Sequence, residues 1–207
     1  MKVIGKLKFV SFENIESWSA YNILEKGLTF SNRYKLVKIK SFLSRNKTPI
    51  KIEEDTYYKR PTIKINGGGV FLRDEVKGEK IGTKNQFLIR AGQFLLSKID
   101  ARNGAFGVVP GGLDKGIITG NFWTFDVDYN LINPYFLQLI TRTKQFQNLS
   151  QSASVGTTNR NYLQEESFLN FHIPLPSISE QEAIVKNYYD KITQATTYEQ
   201  QAETLEK

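Results

Sequence analysis

Ser152-Ala-Ser-Val-Gly-Thr-Thr-Asn-Arg-Asn-Tyr-Leu163, His172-Ile-Pro-Leu-Pro176 and Ser179-Glu-Gln-Glu-Ala-Ile-Val185 follow one another in the last third of the chain and decide how it is read. A polar Gly-Thr loop over 150–161 leads into a short apolar strand over Leu169–Ile173. Pro174 and Pro176 stop that strand, because proline has no amide to give a ladder. Ser179 then acts as an N-cap, and Glu182 three residues on completes a capping box, which predicts a helix. Neither Pro nor Gly occurs from there to Lys207. The helix would run on the order of 40 Å at ~1.5 Å per residue. Val185, Tyr188, Ile192, Ala195 and Ala202 recur at an imperfect three-to-four spacing, a coiled-coil-type seam that Glu199 interrupts. A helix this long and thin cannot be covered by its own body. The layout is a body, 1–176, that launches a projecting helix, 177–207, as in a module that joins something larger.

Working outward, the middle of the chain is rich in short apolar runs. Thr62–Ile65, Val70–Arg73, Phe87–Arg90, Phe94–Ile99, Ala105–Val109, Ile117–Thr119 and Phe122–Val127 read as strands separated by glycine-bearing turns. Their even spacing favours a meander or partly closed barrel over alternating strand–helix units. Leu36–Leu43 reads as a strand or short helix, and Thr48–Arg60 as a polar loop or exposed edge. Two flanking helices are expected. One spans Ser11–Lys26 with Ile15, Trp18 and Leu24 inward. The other opens at Asn133-Pro134, an N-cap followed by the residue best suited to the first helical turn, and carries Phe136, Leu137, Ile140 and Leu149 near one face. The fold class is therefore α+β: a β-rich domain with flanking helices and a long C-terminal helix.

Composition narrows the class. With 207 residues, 40% hydrophobic and 13% aromatic, the chain can bury a sizeable core. It has no cysteine and a single histidine, which removes disulfides, thiolate metal sites and a cysteine nucleophile, and leaves no cluster for a metal. No apolar run approaches the roughly 20 residues that span a bilayer, and the N-terminus lacks a secretory pattern. A cytoplasmic protein with no membrane partner is expected. The net charge is +7, unevenly spread. Residues 177–207 hold three basic and six acidic residues, leaving 25 basic and 15 acidic, a net +10, on 1–176. A basic body suits a polyanion; a mildly acidic helix suits protein.

Several segments resemble a known family in the right order. They are the Trp18 segment, Phe87–Gly92 into Phe94–Ile99, Gly104–Val109, Asn133–Leu137, Gly156–Arg160 with Leu163, and Ile173–Pro176 into Glu180-Gln181. Together they resemble the specificity (S) subunit of type I restriction–modification enzymes: one target-recognition domain followed by the start of its spacer helix. The resemblance covers most of 85–190, and 1–84 follows it only loosely. It implies a non-catalytic subunit that reads one half of a bipartite double-stranded DNA target. Modification (methyltransferase) subunits with S-adenosylmethionine and a restriction subunit with ATP would bind beside it, so this chain would need no cofactor. The family norm is two recognition domains and two spacers; one of each suggests a half subunit or a truncated form. A half subunit would pair as a homodimer through the C-terminal helix, with Val185, Tyr188, Ile192, Ala195 and Ala202 as the contact residues.

Direct readout needs donors and acceptors at base edges, and cations at phosphates. The loop Lys98–Gly104 is the strongest candidate: Arg102 suits guanine, Asn103 suits adenine, and Gly104 permits the turn. Tyr57, Tyr58 and Arg60, with Lys59, combine aromatic and basic character. Lys98, Tyr57, Tyr58, Arg60, Arg102 and Asn103 are thus the candidate base readers. Lys59, Lys64, Arg73, Lys77, Lys80 and Lys84, near the triple glycine 67–69, are candidate phosphate contacts. Thr157, Thr158 and Arg160 belong to a loop shared by family members with different targets, which favours a structural role or a phosphate contact. A solvated hairpin turn, an edge strand packing its tyrosine rings and an ordinary charged face are the plainer readings of these three groups.

Three catalytic look-alikes fail. Asn133-Pro134-Tyr135-Phe136 lacks the second proline of the amino-methyltransferase motif, and no glycine-rich cofactor loop follows a strand. Glu75-Val76-Lys77 lacks the upstream Pro-Asp of a nuclease site. Gly67-Gly68-Gly69 lacks the Lys-Ser/Thr of a phosphate loop. His172 alternates with Phe171 and Ile173, as a structural strand residue does. The rivals to DNA reading are a pure assembly subunit that never touches bases and, more distantly, a divergent nuclease.

Overall fold

The computed structural model describes residues 30, 33–157 and 160–205. The helix expected over Ser11–Lys26 lies outside them, as does Thr158. In chain order come β1 (Leu36–Lys38), β2 (Leu43–Asn46), β3 (Thr48–Ile50), β4 (Tyr57–Lys64), β5 (Gly69–Lys77), β6 (Gln86–Leu88), β7 (Phe94–Ser97), β8 (Phe106–Val108), β9 (Ile117–Ile118) and β10 (Phe122–Val127). Then follow α1 (Pro134–Thr141), α2 (Lys144–Ser152), β11 (Ser154–Thr157), β12 (Arg160–Leu163), α3 (Glu165–Leu169), β13 (His172–Pro174) and α4 (Ile178–Leu205). The expected α+β class holds, but the sheets are not a simple meander.

β7 is the partition around which the body is built. Side chains alternate across a strand, and here both sides are dry. Phe94 and Leu96 point into a main core with Phe106, Phe125, Phe146, Phe168 and Ile173, whereas Leu95 joins a second core with Val70, Ile89, Val109 and Leu113. An antiparallel sheet in the order β2-β10-β7-β8 carries this partition. A second sheet, β3-β6-β9, and the hairpin β4-β5 enclose the second core and a third small cluster around Ile52, Tyr58, Ile81 and Ile117. The hairpin reaches the sheet at Gly107 of β8. A Cβ there would lie 2.9 Å from Val70 and 3.1 Å from the Gly69 backbone, so only glycine lets the hairpin seat this closely.

Local signals explain most boundaries. The Asn133 side chain accepts from the Tyr135 and Phe136 amides at 2.9 and 3.4 Å, capping α1 as expected. The helix then breaks where the sequence reading continued it. Thr143 caps a second helix, accepting from the Phe146 amide at 3.3 Å. The stretch 150–161, expected as a polar loop, is the end of α2 followed by the β11–β12 hairpin. Thr48–Arg60 is likewise not a loop throughout, since β3 and the start of β4 lie in it. The C-terminal strand starts at His172 rather than Leu169 and pairs with β1; Glu165–Leu169 is helical.

The capping box of α4 sits two residues earlier than expected. Ser177, not Ser179, caps it: its hydroxyl accepts from the Glu180 amide at 3.4 Å, while the Glu180 carboxylate accepts from the Ser177 amide at 3.0 Å and its hydroxyl at 2.8 Å. These bonds hold the Glu180 carboxyl below its usual range. The next residue, Gln181, is completely buried and ties the helix to the body. Its Oε1 accepts from the Asn133 amide at 2.8 Å, and its Nε2 donates to the carbonyls of Leu131 and Pro176 at 3.1 and 2.9 Å. Val185 packs on the main core, and Tyr189 meets Tyr135 edge-on at 6.5 Å. Farther along, Ile192, Tyr198 and Leu205 are 48%, 68% and 88% exposed. Ala195 and Ala202 are exposed as well. Gln181→Leu keeps the volume but orphans one amide and two carbonyls. It is expected to cost about 1–3 kcal/mol, read as a lower urea midpoint; an unchanged midpoint would deny the helix this anchor.

Candidate nucleic-acid interface

Two segments far apart in sequence meet on one side of the body. Ala101–Asn103 forms a 3-10 turn, closed by Gly104 at φ +77°, a conformation that glycine adopts without strain. α2 packs beside this turn, held from below by Phe146, whose ring meets Phe106 edge-on at 5.3 Å. The β11–β12 hairpin continues the same surface. Between them lies a trough of about 720 Å³ lined by Arg102, by Lys144, Gln147, Asn148, Gln151 and Ser152 of α2, and by Ser154, Val155, Gly156 and Asn161 of the hairpin. Among the described residues, its lining contains no acidic and no aromatic side chain.

The electrostatics set this trough apart. Elsewhere the inward-lying cations are already engaged. Arg45, lodged against the rings of Trp123 and Phe125, faces Glu165 at 3.4 Å, and burial lowers its pKa. Arg60 donates to both oxygens of Asp74 at 2.7 and 2.8 Å. Lys77 pairs with Asp55 at 2.9 Å and Glu79 at 3.6 Å. In the trough, by contrast, the side chains of Arg102, Lys144, Gln147, Gln151 and Asn161 have no hydrogen bond or ion pair within the protein, among the described residues. Arg102, Gln147 and Asn161 are half-buried there, and Lys144 and Gln151 are exposed. Here they converge on one concavity, with a net positive charge.

The residues singled out in the sequence divide accordingly. Arg102 is in the trough, and Asn103 is exposed beside it on the turn. Lys98 lies 5.5 Å from the ring centre of Tyr162, next to Asn161 on β12. Tyr58 is not available to a base. It is only 6% exposed, packs with Ile52 and Ile81, and its hydroxyl accepts from the Glu53 amide at 3.0 Å. Alternation along β4 turns Tyr58 inward and leaves Tyr57 64% exposed. Arg60 and Arg73 converge on Asp74, whose carboxyl is held below its ordinary range by the Arg60 hydrogen bond. Lys59 donates to the Gly112 carbonyl at 2.9 Å and Lys84 to that of Gly78 at 3.3 Å. Lys64 lies over the Phe71 ring at 4.5 Å, and Lys80 is exposed. Thr157 pairs with Arg160 across the β11–β12 ladder.

The structure does not gather these candidates into one patch. Tyr57 and Lys77 are opposite each other at the open end of the β4–β5 hairpin. Lys64 is near its tip, about 23 Å away at ~3.3 Å per residue. The tip itself is clamped to the Arg102 turn: the Asn66 and Gly67 amides donate to the Asn103 and Gly104 carbonyls at 2.7 and 2.8 Å. Arg142 lies over Gly67 and also donates to the Tyr188 hydroxyl of α4. The α2 face was missed in the sequence because 144–149 read as the tail of one helix from Asn133 and 150–161 as loop, whereas a new helix starts after Thr143. The spacing of Lys144, Gln147 and Gln151, one polar stripe opposite Phe146 and Ser150, was the available signal.

The chain is thus a mixed α+β body that carries a polar, cation-bearing trough and sends out a 28-residue helix. The chain belongs to the family of type I restriction modification DNA specificity domains, whose family model matches residues 31–206. A search of the curated proteins finds no match. Among solved structures, the HsdS subunit from Thermoanaerobacter tengcongensis superposes with a TM-score of 0.67 at 18% identity, over 82% of this chain and 45% of that one. A chain from a structure described as the basis of complex assembly and conformational transition of the type I R-M system gives 0.63 at 16% identity, over 83% of this chain and 45% of that one. At such identities the likeness is one of fold. This chain spans less than half the length of either. Among the described residues, no group of His, Asp and Glu gathers as a metal site, and no helix is long and apolar enough to cross a membrane.

Proposed function

We propose that the chain is a DNA-recognition subunit that reads one half of a bipartite duplex target and directs a methyltransferase–restriction complex to it. The observation that carries this reading is the trough: among the described residues, two cations and three amides without internal partners, and no acid in its lining. Lys144 would hold a phosphate, and Arg102 would donate to a guanine edge. Residues 1–176 serve as the recognition domain and 177–207 as the spacer helix. The exposed Ile192, Tyr198 and Leu205 along α4 are where modification subunits or a second copy would pack. Methyl transfer with S-adenosylmethionine and ATP-driven steps belong to partner subunits in the cytoplasm, and this chain performs neither.

Two measurements test the proposal. Duplexes retained from a random pool, with the modification subunit present, should share a short sequence. Arg102→Ala should relax one position of it by about 1–3 kcal/mol, while Lys144→Ala should weaken all duplexes alike. Equal retention of random and selected duplexes would instead favour an assembly subunit without readout. Because a half-site reader needs two-fold pairing to cover a symmetric target, sedimentation at micromolar concentration should show a dimer. A monomer throughout would remove self-pairing.

A further inference from the structure

We infer that the amide row of α2, Gln147 and Gln151, reads adenine in the major groove of the duplex. The inference rests on the DNA-reading proposal and assigns the base class at its trough. Gln147 and Gln151 are one helical turn apart and line the same trough as Arg102 and Lys144. Asn161 faces them from β12. None of these three amides has a partner within the protein among the described residues.

The chemistry of an amide decides what it wants. Each carries an NH2 donor and a carbonyl acceptor. A phosphate offers acceptors alone, so a trough built only for phosphate would leave the amide oxygens unsatisfied on binding, a penalty a row of lysines would avoid. Adenine presents N7 as acceptor and the N6 amino group as donor on its major-groove edge, and a glutamine can meet both at once. Guanine presents two acceptors there and suits the arginine better. The two cations and the amides thus divide the work: Lys144 holds the backbone, Arg102 takes guanine, and Gln147 and Gln151 take adenine. Among the described residues the lining has no aromatic ring on which an unpaired base could stack, and the paired duplex is therefore the form assigned to it.

The full 207-residue chain is tested by selection from a random duplex pool, then by direct titration of the selected duplex. Wild type should retain duplexes with at least one fixed adenine. Gln147→Ala or Gln151→Ala should relax that position, with the thermal midpoint little changed because neither side chain has a partner to lose and alanine is a strong helix former. Replacing that adenine by 7-deazaadenine removes N7 and should weaken wild type about tenfold while leaving the alanine variant unaffected. Gln147→Glu, which keeps the acceptor and loses the donor, should turn the preference toward cytosine. Uniform weakening of all duplexes by the alanine variants, or unchanged selection, would overturn the adenine assignment. If Arg102→Ala and Lys144→Ala are silent too, the trough fails as the DNA site altogether, an outcome distinct from loss of the adenine assignment alone.

Discussion

Reversing both trough cations, Arg102→Glu with Lys144→Glu, is expected to weaken duplex binding about 100-fold or more at low salt, roughly 2.8 kcal/mol at ~1.4 kcal/mol per tenfold. Among the described residues, these two bring the trough its positive charge and no acid in its lining offsets them. Reversal would set two carboxylates against the phosphate backbone. The salt dependence should change as well. Each phosphate contact contributes about 0.9 to the slope of log affinity against log salt, so the double variant should show a slope shallower by about 1–2. Arg102 lies in a well-anchored turn with its side chain unpartnered, and Lys144 opens a capped helix, so neither change strains the fold. Fluorescence anisotropy across a salt series reads both quantities. Parallel slopes and equal affinity in a folded double variant would place the DNA elsewhere on the body.

The second large effect concerns the floor beneath that trough. Phe106→Ala is expected to destabilise the body by about 3–5 kcal/mol, the usual range for emptying a buried ring. Phe106 is fully buried and meets Phe94, Phe146 and Phe168 at ring distances of 6.3, 5.3 and 6.2 Å. Phe146 belongs to α2, so the cavity opens directly below the helix that carries Lys144, Gln147 and Gln151. A urea midpoint shift reports the stability. Amide exchange should quicken first in α2 and the 101–104 turn, ahead of the distal β4–β5 strands. A loss below 1 kcal/mol would mean that the aromatic cluster can collapse around the gap and does not fix the trough.

How much of this was legible in the sequence depends on the range of the interaction. Asn133-Pro134 announces a helix start because a side-chain oxygen and a pre-set φ act within three residues, and the structure places α1 there. β10 was read correctly at Phe122–Val127, since alternation acts over neighbours. The Ser177–Glu180 box was misplaced because Ser179 and Glu182 offer the same spacing two residues later, and only the burial of Gln181 decides between the two registers. Tyr58 looked like a base reader because local sequence marks aromatic and basic character but not which face of a strand is buried. Its inward turn follows from the packing of Ile52 and Ile81 around it.

The sequence by itself determined the β-rich body, the glycine-punctuated strands, the excess of positive charge on 1–176 and the long helix that leaves it, because propensity, capping and composition are properties of neighbouring residues. Tertiary structure alone decided that the Arg102 turn lies beside α2 and the β11–β12 hairpin, that Arg60 and Lys77 are spent on internal carboxylates, and that three amides are left facing a common trough. The meeting of the Arg102 turn with α2 depends on contacts between segments about 40 residues apart, such as Phe106 against Phe146, and the Arg60–Asp74 pair on the register of the β4–β5 hairpin. Such pairings emerge only when the chain closes a shared core.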